Sequence, residues 1–452
     1  MSQRIAIPVF FWSGVSLLAL AGCGGGGGDP PVAAAPIIAT QPAGLSVTQG
    51  QAAAFTVAAT GADLSYQWRR TGADVAGANA ASYSIAATAL ADNGASFNVR
   101  VCTGPQANNA CVTSSEAVLT VNPVALNAAQ LAGTPGATGS ADGIGAAARF
   151  NTANYLAVNA AGTLYVGDFN NHTIRAITPA GVVSTLAGSP GLAGYADGTG
   201  AAARFRGNGG LAVNSVGDVF VADWENFVVR RISPAGVVTT FAGTAGASGS
   251  LDGTGAAARF SNPNGLVIDA AGNLFLTDWG NHTVRRITPA GVVSTLAGTP
   301  GAPGSADGTG AAARFFHPTG VAVDSAGNVY VSDTPNHTIR LITPAGVVST
   351  LAGQTGSAGH TDGSGSAARL NQPAWLSLSP SGDLFFTSGA GDTVRKLTPA
   401  GVVTTVVGVA GQNAAVVLGA SPRLRNARGV LALSSNQLVV VADNAVLNVT
   451  VP

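Results

Sequence analysis

The sequence predicts an all-β protein, a two-sheet sandwich followed by a closed propeller, on three observations. First, Leu131-Ala132-Gly133 returns as Leu186-Ala187-Gly188, Phe241-Ala242-Gly243, Leu296-Ala297-Gly298, Leu351-Ala352-Gly353 and Val406-Val407-Gly408, each copy 55 residues after the last. A fixed period of this size means an array of one supersecondary unit that cannot bury its apolar face alone. Second, each copy is made of short runs alternating apolar and polar with period two, and no long 3.6-residue pattern argues for helices. Third, only 9% of residues are charged and 62 of 452 are glycine, against ~25% and ~7% in average soluble chains. With 46% of residues hydrophobic, that composition is turn-rich rather than disordered.

The formal net charge is zero. Such a chain has no global field to draw nucleic acid or anionic lipid. The amino terminus reads as an export signal: Arg4 precedes an apolar run over 5–20 that is too short for a stable span. It ends in Leu20-Ala21-Gly22-Cys23, which resembles the bacterial lipoprotein box. The resemblance implies removal of residues 1–22 and acylation of Cys23. Residues 23–35, rich in Gly and Pro, then form a tether that holds the folded part away from a membrane. Gly24 stands where an Asp marks retention at the inner membrane, so the expected location is the cell envelope, at an outer membrane where one exists.

Residues 36–123 lack the 55-residue period. Short alternating runs at 45–47, 53–58, 64–68, 83–85, 97–101 and 117–121, separated by Gly, Asp and Asn turns, predict a sandwich. The stretch Ser65-Tyr66-Gln67-Trp68, followed by Asp92-Asn93-Gly94-Ala95-Ser96-Phe97, resembles bacterial immunoglobulin-like domains. The resemblance makes Trp68 the core tryptophan and puts Phe97 near the tyrosine-corner position without its hydroxyl. Cys102 and Cys111 flank a polar segment between the last two strands, and outside the cytoplasm they are expected to bridge. The expected role of this domain is a spacer.

In the fourth copy of the repeat, 320–324, 328–333, 337–343 and 347–353 are four strands joined by Gly-, Pro- and Asn-bearing turns. Four antiparallel strands per copy describe a propeller blade. The phrase from Gly320 through Asp333 to Arg340 resembles the NHL repeat, and the resemblance covers about 124–452 and implies a six-bladed propeller. Counting agrees: blades begin near Leu156, Leu211, Leu266, Val321 and Leu376, and a sixth, at Val430, ends after three strands. Residues 125–133 can supply its outer strand, which removes an open edge.

With the first strand of each blade running down, the loops after its second and fourth strands share the upper face. The loop after the fourth strand carries Asp142, Asp197, Asp252, Asp307 and Asp362, with Arg149 and its equivalents seven residues on. Each Asp is expected to cap a short helical turn and each Arg to complement the far end of that turn or a neighbouring blade. Asp168, Asp223, Asp278, Asp333 and Asp443 are expected to end the second strands, and His172, His282 and His337 to be structural. Residues that vary between copies are better candidates for binding. Near the channel mouth these are Tyr155, Arg206, Trp224, Trp279, His317, Trp375 and Arg428. Aromatic plates beside Arg, Asn and Gln suit a sugar or peptide chain; the alternative role for these rings is packing between blades.

No nucleophile elbow, zinc signature, phosphate loop or dinucleotide fingerprint occurs. Of 16 acidic residues in the propeller, only Glu225 and Asp392 fall outside the repeated positions. The sequence therefore predicts a monomeric, non-catalytic envelope lipoprotein without catalytic residues, metal or cofactor, whose upper face binds a protein or glycan and no nucleic acid. The alternative is a divalent-metal-dependent propeller hydrolase or lactonase.

Overall fold

The computed structural model describes residues 34–103, 110–389, 392–412 and 414–452. Cys23 and the expected signal peptide lie outside the described residues. The chain divides into two compact units at Pro123 and Val124.

In the first unit, Leu45–Thr48, Ala117–Asn122, Ser96–Thr103, Ser65–Arg70 and Ala73–Asp74 pair in that order, with Ala110–Thr113 also on Ser96–Thr103. Two short pairs complete it: Ile37–Thr40 with Ala58–Thr60, and Ala53–Thr56 with Ser82–Ile85. One apolar core joins them. Trp68 is fully buried there and its indole N–H donates to the Ala80 carbonyl at 2.9 Å. Phe97 stacks on Phe55 with centroids 4.5 Å apart, so the ring fills the core. Cys102 and Cys111 face each other in the strand register and are joined by a disulfide.

The second unit is a six-bladed propeller. In blade 1, Ala153–Val158, Leu164–Asp168, Thr173–Ile177 and Val182–Gly188 run antiparallel from the axis outward. Blades 2 to 5 repeat this order from Asn208, Pro263, Val321 and Leu376. In blade 6, Ala427–Ala432, Gln437–Ala442 and Ala445–Thr450 are completed by Asn127–Gly133, with Asn127 opposite Thr450. The ends of the unit thus share one sheet. A fifth strand, unforeseen in the sequence, lies outermost in blades 1 to 5: Gly143–Ile144 in blade 1 pairs with Val182 and Val183, and its equivalents do the same.

The repeated Asp of the loop does not cap the short 3-10 turn. The residue at the cap is Ile144 in blade 1 and Thr or Ser in blades 2 to 5, with no side-chain capping bond. The Asp lies just before the fifth strand and accepts from that blade's third and fourth strands instead. Asp252, for example, accepts from Arg285 Nη2 at 2.7 Å and from Thr295 Oγ1 at 3.0 Å. The loop Arg does serve the turn: Arg259 Nη1 donates to the Ala256 and Ala258 carbonyls.

Nor do the carboxylates ending the second strands face solvent. Asp168, Asp223, Asp278 and Asp333 are fully buried, each paired at 2.8–2.9 Å with a fully buried third-strand arginine: Arg175, Arg230, Arg285 and Arg340. Each carboxylate also accepts from a backbone amide and from Asn171 or its equivalent. These bonds satisfy carboxylates that burial would otherwise penalise by several kcal/mol, while the Nε of each of these arginines stays buried without a partner among the described residues. Burial nonetheless pushes Asp223, Asp278 and Asp333 up to about 6, against the lowering pull of the hydrogen bonds and the arginine.

Blade 6 departs from the pattern. Its strand register puts Ala442 at the Asp position and Leu447 at the Arg position, inside an all-apolar cluster. Asp443 therefore does not end the second strand. It follows one residue later with φ 50° and pairs with Arg425. In blade 5 Ser388 replaces the Asp, and among the described residues Arg395 keeps only Asp362 as an ionic partner.

Candidate functional site

The upper end of the axial channel opens into a cavity of about 480 Å³, within the 300–1,000 Å³ usual for small-ligand sites. Its position follows from one ring of equivalent residues, where the inner strands converge. Four of the six are glycine: Gly210, Gly265, Gly320 and Gly429. Convergence demands it at the first three, since a Cβ on Gly320 would lie 2.1 Å from the Ala374 carbonyl oxygen, whereas at Gly429 the nearest atom would be 3.3 Å away. The other two are Tyr155 of blade 1 and Trp375 of blade 5, and both line the cavity. Their rings meet edge-on, centroids 5.8 Å apart, flanking blade 6 with its Gly429. Below them the channel narrows to about 30 Å³.

The Tyr155 hydroxyl donates to Asn264 Oδ1 across the mouth. Burial raises its pKa well above the usual phenol value, so it stays a neutral donor. Phe169 and Trp224 complete the aromatic lining, with Thr152, Asn154, Asn170, Asn264 and Thr319 as polar groups. Arg428 is the one charged residue among the lining residues, which include no carboxylate and no imidazole.

The cavity thus gathers Tyr155, Trp224, Trp375 and Arg428 from the sequence-predicted set. Trp279 and His317 do not line it; they continue the aromatic arc from Trp224 along the rim. Trp224 and Trp279 are 5.3 Å apart, and His317 stacks on Trp279 at 3.7 Å. Arg206 also lies off the cavity, in an exposed pair with Glu225 at 2.7 Å. Of the three repeated histidines, His172 has an Nδ1 without a partner among the described residues, whereas the other two link blades: His282 Nδ1 accepts from the His317 amide, and His337 Nδ1 from the Gln372 amide. Burial lowers the pKa of both, and His317 adds to the effect at His282. Sequence reasoning missed Asn154 and Asn264. The signal was present, because both sit one residue before the glycine ring, at a position that varies between copies.

The NHL repeat model matches residues 260–287 and 315–340. The propeller carries NHL repeats. The chain is 31% identical over 288 residues to the Arabidopsis thaliana protein SUPPRESSOR OF QUENCHING 1, chloroplastic, a match covering 58% of this chain and 26% of that protein. It is 28% identical over 285 residues to NHL repeat-containing protein 2 of Bos taurus, covering 55% of this chain and 39% of that one. These matches span well under half the length of either relative. Among solved structures, a Bacteroides thetaiotaomicron protein of unknown function superposes with TM-score 0.63 at 18% identity, over 94% of this chain and 99% of that one. An auxiliary nutrient binding protein from Bacteroides ovatus gives 0.56 at 14% identity, over 92% and 98%.

Proposed function

We propose that this protein is a lipid-anchored binding protein of the cell envelope that takes a glycan at the upper mouth of its propeller channel. The carrying observation is the 480 Å³ cavity whose rings and polar groups come from positions where the repeats differ. Residues that serve the shared fold recur in every blade, so those that depart from the repeat and meet at one cavity serve something else. Metal-assisted hydrolysis needs carboxylates or imidazoles converging on the reacting atoms. The cavity's lining offers neither, which favours binding over hydrolysis. Structural likeness at 14% identity carries the fold and not the ligand.

The anchor part of this reading rests on Leu20-Ala21-Gly22-Cys23. Labelled fatty acid should enter the wild type and not Cys23→Ala; equal labelling removes the anchor. In the same reading the first unit is an immunoglobulin-like spacer.

The test of the mouth is a glycan, peptidoglycan-fragment and peptide array probed with the full purified chain. Losing a stacked aromatic anchor costs about 2 kcal/mol, roughly thirtyfold in affinity. Tyr155→Ala with Trp375→Ala should therefore abolish capture while circular dichroism stays that of a folded propeller. Asp269→Asn with Asp324→Asn, in the lower turns, should leave capture intact. The reverse pattern would place the working face at the other end of the channel.

A further inference from the structure

One ring of residues at the mouth carries a charge preference, an inference that rests on the binding reading above. Immediately before the glycine ring, each blade contributes one residue to the cavity: Asn154, Gly209, Asn264, Thr319, Ala374 and Arg428. Two of the six have no polar side chain, and the remaining four are not equally free. Thr319 Oγ1 already bonds Ser332 Oγ at 3.0 Å and Thr334 Oγ1 at 2.6 Å. Asn264 has its oxygen occupied by the Tyr155 hydroxyl. Asn154 is buried, and its side-chain oxygen, without a partner among the described residues, is packed towards Gly167 and closed to the cavity. Arg428 is exposed at the rim with no carboxylate or carbonyl partner among the described residues.

Most arginines of the propeller are engaged, by a carboxylate in the buried frame or by backbone carbonyls at the turns, whereas the exposed Arg423 and Arg428 have no side-chain partner among the described residues. Of the two, Arg428 lines the cavity, with Tyr155, Trp224 and Trp375. A guanidinium matches a carboxylate in bidentate geometry. The Tyr155 and Trp375 rings call for a flat apolar face. A pyranose ring bearing a carboxylate supplies both.

We propose that the channel mouth selects acidic saccharides, the sugar face lying on Tyr155 and Trp375 and the carboxylate held by Arg428. The experiment is isothermal titration of the full chain with trimers of galacturonate, glucuronate, mannuronate and guluronate, each beside its methyl ester. Esterification keeps the ring and hydroxyls and removes the charge. At least one acid should bind, and its ester should bind at least tenfold more weakly. Arg428→Ala should erase that difference by weakening the acid alone, Arg428→Lys should keep part of it, and Trp375→Ala should weaken acid and ester together. Because Arg428 is exposed, its replacement leaves the fold unburdened. An ester that binds as well as its acid, or an undiminished preference in Arg428→Ala, overturns the proposal. If no acid binds, the proposal falls as well. The binding reading then stands only if the array finds a neutral glycan or peptide whose capture depends on Trp375.

Discussion

Replacing Arg285 in blade 3 tests the buried ionic frame, because blade 6 supplies an internal control. Arg285 is fully buried and donates to the Asp278 carboxylate at 2.8 Å, to Asp252 at 2.7 Å, and to the Arg259 and Leu251 carbonyls at 3.0 Å. Its guanidinium lies 5.2 Å from the centre of the Phe260 ring. In Arg285→Leu, Asp278 stays buried, holding its bonds from the Ser261 amide and Asn281 but losing its counter-charge. Removing one partner of a buried ion pair costs about 3–5 kcal/mol, whereas replacing both with apolar residues is often neutral. Blade 6 already has Ala442 and Leu447 at these two places. Asp278→Ala with Arg285→Leu should therefore be more stable than Arg285→Leu alone. The recovery is capped by Asp252, which loses its arginine in both variants. The assay is guanidinium unfolding followed by tryptophan fluorescence on wild type, both single variants and the double variant, read as a coupling energy. A single Arg285→Leu as stable as wild type, or a double variant no better than the single, would refute the reasoning.

Three further outcomes are expected. Deleting residues 124–133 removes the strand that pairs with Ala445–Thr450, and should give an aggregating or markedly less stable propeller by size-exclusion chromatography; an unchanged monomer would mean that blade 6 closes otherwise. Melting followed by calorimetry should show stability rising as pH falls from 7 towards 5. Asp223, Asp278 and Asp333 titrate near 6 when folded against 3.8 as the ordinary value, so the folded state binds protons first. Below about 3.8 the trend should turn over, since hydrogen bonds hold Asp324 and Asp362 under that value despite their burial and their stabilisation is lost there; a monotonic loss from pH 7 downward would refute the first part. Reducing Cys102–Cys111, nine residues apart, should cost the first unit about 2–3 kcal/mol and leave the propeller transition in place.

Much of the architecture was legible because repetition exposes it. The 55-residue register, the alternating runs and the truncated last copy together lead to six blades closed by residues near 127. What stayed hidden is set by three-dimensional partnership. Asp252 followed by Gly-Thr-Gly-Ala has the look of a helix cap, and only the strand pairing of Gly253–Thr254 shows the carboxylate turned towards Arg285 and Thr295. Arg285 itself reads as an exposed strand residue, since nothing local announces that its partners lie 7 and 33 residues away. In blade 6 the register slips by one, so Asp443 counted as the strand end while Ala442 held the place. At the mouth, variation between copies pointed to Tyr155, Trp375, Trp224 and Arg428. It did not separate these from Arg206, Trp279 and His317, which differ between copies but face the rim.

The closing sheet also has a meaning in time. Blades 1 to 5 can assemble one after another as the chain emerges, each on its predecessor, as in other repeat arrays. Asn127–Gly133 is the first strand of this unit to be made and, apart from a bridge from Ala128 to Gly419, has no partner until Ala445–Thr450 arrives. Any product cut short before that point keeps an open strand edge, and the ring is sealed only once Ala445–Thr450 is in place. The blade that performs this last step is the one whose core contains Leu447 and Ala442 in place of arginine and aspartate. Long-range closure is slow because the ends must first meet. An apolar seam lets them join in any approximate register and then settle, with no desolvated charge waiting for a counter-ion.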